Sequence, residues 1–207
     1  VLTVASEPTG GLDLNGYSQA IPRLLAAASG DKYACVTSAT PATLTLSEKD
    51  SKELAVSFKG AASLKMSGAG TVTLAKRVSA STGDLTVSSG TLKLTDGAGW
   101  TGSNAVVSAG TLVVTATAAA QPFGPKSVCR TALTVSGTGA VQLEGGVEAC
   151  VTGLSVGGVT YRTNGYYGGA DAVAAGLVPA GNVLANFTGT GVVRLVGQHQ
   201  GTIIIVR

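Results

Sequence analysis

The chain has 207 residues, of which 12% are charged and 4% aromatic, and its 14 basic and 11 acidic side chains leave a net charge of +3. Charge spread this thinly, with Lys76–Arg77 the only adjacent basic pair, excludes the clustered basic stripe of a nucleic-acid surface, so no nucleic-acid partner is expected. The mean hydropathy is positive, yet the apolar runs are strand-length and fall short of the ~18 residues of a membrane span. No transmembrane segment is expected, and the Val/Leu/Ile content argues against disorder.

From the N-terminus, Val1-Leu2-Thr3-Val4 already has a strand pattern, without an initiator Met or a signal peptide, as in a processed product or an excised fragment. Leu12-Asp13-Leu14 alternates and closes on Asn15-Gly16, a strong turn pair. Ile21 to Ala28 has the composition of a turn or two of helix, and Lys49 to Glu53 reads as an exposed turn. Strand, Gly-containing break and second strand then follow one another at Leu64–Leu74, Leu85–Leu94, Val106–Val114, Leu133–Leu143 and Phe187–Leu195. Gly suits such corners because a tight bend often needs positive φ. Residues 115–129, Ala-rich with Gln121-Pro122-Phe123-Gly124-Pro125, read as a loop leaving the body of the fold. Residues 159–186 read as irregular, with a single helical turn near Ala170 to Ala175.

Apolar strand residues recur at Leu44, Leu64, Leu85, Val106, Leu133 and Leu154, at intervals of 20, 21, 21, 27 and 21 residues. A second series runs through Leu54, Val72, Leu92 and Leu112. One shared period means that each window is a unit stacked on the next, burying together an apolar face that no unit buries alone. Each strand pair by itself also suits an antiparallel hairpin. The shared period favours successive sides of a parallel coil, and hence a single all-β solenoid domain over residues 1–207.

Several phrases resemble autotransporter-associated β-strand repeats of bacterial surface proteins. Leu12-Asp13-Leu14-Asn15-Gly16-Tyr17-Ser18-Gln19 is similar to the "LDLNGxxQ" phrase of those repeats. Trp100-Thr101-Gly102 and Ser108-Ala109-Gly110-Thr111-Leu112-Val113-Val114 resemble the "xYTGxTTVSAGTLVV" core, with Trp in the usual Tyr place. Leu143-Glu144-Gly145-Gly146 with Leu154-Ser155-Val156-Gly157-Gly158, and Gly165-Tyr166-Tyr167-Gly168-Gly169 with Phe187-Thr188-Gly189-Thr190-Gly191, resemble the closing phrases. The resemblance touches most of the chain. It implies a right-handed parallel β-helix, here of about nine or ten coils, in a secreted or cell-surface protein of adhesive or structural role. No β-barrel translocator follows the repeats in this chain.

In that extracellular setting disulfides persist. Cys129 and Cys150 lie 21 residues apart, one period, each four residues before its strand leucine. Equivalent phase stacks them on rungs ~4.8 Å apart, within the Cα separation a disulfide tolerates, and a Cys129–Cys150 bridge is expected, with two stacked free thiols as the alternative. Cys35 is left over, and a buried inert thiol is expected there.

Chemistry-bearing residues are few. His199, the only His, sits in a polar turn with no nucleophile-elbow sequence elsewhere, and no Cys or His spacing suits a metal. The carboxylates fall mostly at turns, with nothing selecting a pair. No catalysis and no cofactor are expected. The leading expectation is a structural module that self-associates end to end through its edge strands, Val1, Leu2 and Val4 at one end and Ile203, Ile204, Ile205 and Val206 at the other. A second is an adhesin or carbohydrate-binding module meeting extracellular glycans or a host surface through Tyr161, Arg162, Asn164, Tyr166 and Tyr167, a third a polysaccharide-cleaving β-helix enzyme.

Overall fold

The computed structural model describes residues 1–4, 11–26, 34–75, 78–118, 122–124 and 129–197. Alternation sets the strands: Thr91–Thr95 and Ala132–Val135 each alternate part-exposed with buried positions, as a strand with one face on a core must. Strands of successive windows pair in parallel, which removes the hairpin alternative and gives a β-solenoid of about six turns, 55% strand and 5% helix.

Three faces enclose the core. Face A runs through Leu44, Leu64, Leu85, Ala105, Leu133 and Leu154 in register. Face B runs through Lys52, Val72, Leu92, Leu112, Val141 and Phe187. Face C begins with Gly11–Asp13 and the first halves of the long strands Ala34–Leu46 and Val56–Met66, which bend across the corner into face A. Val78–Ser81 and Gly99–Trp100 continue it, and Glu148–Val151 pairs with Val192–Leu195 further along. At the other end, Leu2–Val4 pairs in parallel with Leu24–Ala26.

Two phases differ from the sequence reading by a small slip. The face A residue in register with Leu85 is Ala105, so Val106 points outward, and Leu54 pairs with Leu74 while Val72 sits opposite Lys52. The first slip is one residue, hidden by the Val106-Val107 pair, and reverses the face; the second is two residues and keeps Leu54 and Leu74 on the inner face, as strand alternation requires. The columns are closed: Leu64, Leu85, Leu92, Leu112, Leu133 and Leu154 are at most 1% exposed. Each such side chain contributes about 1.5–3 kcal/mol relative to exposure. On face C the Phe58 and Trp100 rings fill the same role, tilted at 5.4 Å between centroids, and Trp100 Nε1 donates to Gly83 O.

The Ser/Thr richness has a physical use at the corners. Ser88 Oγ donates to Met66 O at 2.9 Å, Thr82 Oγ1 to Gly60 O at 3.1 Å, and Thr101 Oγ1 to Ser79 O at 3.0 Å, each reaching one coil back. Each of these carbonyls already accepts the backbone amide of the same Ser or Thr, so the hydroxyl fills its second lone pair and ties the corner more firmly to the coil beneath.

The coil count falls below the nine or ten expected, and two stretches that lengthen or leave the coil account for part of the difference. The loop near 115–129 lengthens one coil, whose described parts pass through the buried Phe123. Residues 157–185 leave the coil altogether and form a cap. Gly157 and Gly158, at φ 58° and 83°, turn the chain so that Val159–Tyr161 runs antiparallel on Gly153–Val156. Gly165–Tyr167 runs antiparallel on Val192–Leu195. The helix Ala170–Ala174, the expected helical turn, packs beside Phe187–Thr188. Cap strands thereby cover the last described rungs at Gly153–Val156 and Val192–Leu195, with the helix beside Phe187–Thr188; Ile203, Ile204, Ile205 and Val206, expected to form an uncapped end strand, lie outside the described residues. Ile21 to Ala28 is not helical where described: Gln19–Ile21 and Leu24–Ala26 are strands, because pairing in the coil overrides a marginal helix propensity.

Candidate functional site at the C-terminal cap

The cap divides the five expected glycan-contact residues between different tasks. Tyr167 is 4% exposed, its ring edge-on to Tyr161 at 5.1 Å, and its hydroxyl donates to Thr163 O at 2.7 Å. Asn164 Oδ1 accepts from the Gly197 amide. These contacts tie both residues into the cap, Tyr167 buried and Asn164 exposed. Tyr161 and the exposed Arg162 line one cleft of about 420 Å³ with Thr152, Thr160 and Leu195. Tyr166 lines another, of about 300 Å³, with Glu148, Leu177, Thr190 and Val192.

The second cleft gathers the richer chemistry. Tyr166 is 39% exposed, and the Arg194 guanidinium carbon lies 5.9 Å from its ring centroid. Arg194 Nη1 also lies 3.6 Å from Glu148 Oε1. Tyr166 stands opposite Arg194 in the antiparallel pair, while Glu148 and Arg194 come from adjoining parallel strands. Sequence reading missed Glu148, Leu177, Thr190 and Arg194, since the cap separates Glu148 from its strand partner Val192 and interrupts the period that would have aligned them.

Cys129 and Cys150 occupy adjoining coils, as their spacing predicts, but both are free thiols, a correction to the expected bridge. Cys129 Sγ is turned to the Cys150 carbonyl at 2.7 Å, and Cys150 is fully buried. Cys129 lies just before the strand Ala132–Val135, outside any strand pair, and its sulfur faces the backbone of Cys150 rather than the Cys150 sulfur. Burial and the neighbouring Cys150 push the Cys129 thiol up to about 12. Cys35 is a free, half-buried thiol.

At the opposite end, Arg23 joins the buried Glu48, Nη2 to Oε1 at 3.0 Å, and reaches Asp50 as well. Burial works to raise the Glu48 carboxyl; the Arg23 hydrogen bond and charge, with the Asp50 and Lys49 amides, outweigh it and hold the group below 4.5. Other carboxylates pin turns and insertions: Asp84 accepts from Asn104 at 2.8 Å, and Asp171 from the Gly189 amide at 3.0 Å. Val1 is 78% exposed and Leu2 packs against the core. His199 lies outside the described residues. Among the described residues no group of three or more His, Cys, Asp or Glu is placed to hold a metal, and no helix is long and apolar enough to cross a membrane.

The fold and cap define a capped parallel β-solenoid. In comparison with known proteins, no family model, no curated protein and no solved structure matches the chain.

Proposed function

We propose that this chain is a non-catalytic structural module of a secreted or cell-surface protein, with inert flanks and contact-making ends. The observation that carries this reading is the placement of exposed apolar side chains. Among the described residues, Val1, Tyr17 and Leu25 stand exposed in the first coil, and Val159, Tyr166, Leu177 and Val183 in the cap. None of the large exposed hydrophobics among the described residues falls on the coils between. Apolar surface confined to two ends is a pattern for stacking modules, while the polar flanks resist lateral association. With the last described rungs covered, the cap joins a neighbour by side-chain packing rather than by strand addition. The extracellular setting rests on the resemblance to surface-protein repeats.

Light scattering across a concentration series, with electron microscopy of the concentrated sample, tests this. Mass should rise with concentration and rods should appear, and both Leu177→Asp and Tyr17→Asp should suppress them. A strictly monomeric protein at all concentrations would remove end-to-end association. The adhesive reading keeps one supporting observation, the exposed Tyr166 beside paired charges in a cleft.

A further inference from the structure

We propose that the cleft between Glu148–Val151, Gly165–Tyr167 and the loop bearing Leu177 binds one uncharged pyranose ring of a glycan. The inference deepens the adhesive reading and rests on it, not on end-to-end association. The cleft exists because Val192–Leu195 pairs on one side with the solenoid strand Glu148–Val151 and on the other with the cap strand Gly165–Tyr167. Residues from the solenoid and from the cap therefore converge on one space of about 300 Å³, the lower end of the size range of small-ligand sites.

The lining chemistry selects the ligand. A pyranose has an apolar C–H face and a rim of hydroxyls. Tyr166 offers a part-exposed ring whose orientation is fixed by the Arg194 guanidinium and by the strand pairing of its backbone, and Leu177, 52% exposed, and Val192 supply aliphatic wall. Glu148 and Thr190 supply a carboxylate acceptor and a hydroxyl able both to donate and to accept. Charge argues against ionic ligands. A cation would compete with Arg194 for Glu148, which already lies 3.6 Å from the guanidinium, and an anion would meet the Glu148 carboxylate at the wall. A neutral ring with hydroxyls leaves that pair intact. Tyr161 and Arg162, in their separate cleft, take no part.

The test titrates the full chain with methyl α-glucoside, methyl β-galactoside and N-acetylglucosamine, read by saturation-transfer NMR, with glucuronate and glucosamine as charged controls. At least one neutral sugar should bind saturably, and Tyr166→Ala, Glu148→Gln and Thr190→Ala should each weaken it by about tenfold or more, a loss of ~1.4 kcal/mol. Arg162→Ala should leave it unchanged. Thermal unfolding of each variant identifies a misfolded one. Glu148→Gln and Thr190→Ala spare the exposed apolar patch, so their oligomeric state should match the parent and separates failure of this site from failure of the module's assembly. The inference is overturned if no neutral sugar binds saturably. It is equally overturned if binding survives both Glu148→Gln and Thr190→Ala, or if a charged control binds in preference.

Discussion

Two residue pairs turn local geometry into measurable behaviour. Glu48 is buried against Arg23, and its carboxyl is held below its ordinary value. Between that lowered value and about 4.5 the unfolded chain takes up the proton that the folded chain refuses, so stability rises with pH through this window and is lost as pH falls through the folded value. Glu48→Gln should lower stability at neutral pH by roughly 2 kcal/mol, the scale of hydrogen bonds to a charged group, and should flatten the acid limb of a plot of melting temperature against pH. An unchanged acid limb would show that Glu48 does not control it. Cys129, with its thiol pushed up to about 12, carries almost no thiolate at neutral pH, and the thiolate is what an alkylating agent attacks. Native protein should therefore resist iodoacetamide at Cys129 and Cys150 and react at both once unfolded. Peptide mass spectrometry without reduction checks this, and a linked 129–150 peptide would contradict the free thiols.

Corners and the cap decide the behaviour of the elements. Gly90, at φ 66°, would direct an added Cβ into the carbonyls of Gly68 and Gly70 on the coil beneath. Gly97 has a similar φ of 78° but open space around its Cβ position. Gly97→Ala should cost about 1 kcal/mol of left-handed backbone strain, and Gly90→Ala clearly more, because backbone must move between coils. Urea unfolding of the two variants measures the difference, and equal midpoints would deny the close coil approach. The cap is an insertion at one corner. The coil before it passes from Val135 on face A to Ala140 on face B through residues 136–139, whereas the last coil passes from Val156 to Asn186, opposite Ala140, through residues 157–185. Replacing 157–185 with Ser-Gly-Thr-Gly should restore a plain coil with bare edges. That variant should form β-rich fibres visible by electron microscopy where the parent, ending in three-residue antiparallel strands, shows only rods. A soluble variant that forms no fibres would mean the cap does not guard the edge.

At the scale of the whole molecule, face A stacks seven strands from Gln19–Ile21 to Gly153–Val156. Six rungs of ~4.8 Å give a column about 30 Å long. Its strands pair with those about one period before and after, so neighbouring coils depend on each other as units of a repeat array do. Leu92→Ala, removing a fully buried side chain in the middle of face B, should cost about 2–5 kcal/mol. Its measured value in chemical denaturation should exceed that of an outward position such as Lys93→Ala, which sits on the same strand with its neighbours unchanged.

Period and alternation lie within the chain itself, so the parallel stack, its Leu and Val columns and the phase of Cys129 with Cys150 were legible from residue spacing alone. Each depends on contacts between windows of nearly constant length, and constant length is visible in a sequence. Side-chain direction is not: the same phase that stacks the two cysteines leaves their sulfurs unjoined, since register sets where Cα atoms lie and not where Sγ turns. The cap, the reduced coil count and the Glu148–Arg194–Tyr166 grouping were decided only in three dimensions. A stretch that folds back antiparallel obeys no period, and it brings together residues whose separation along the chain carries no signal.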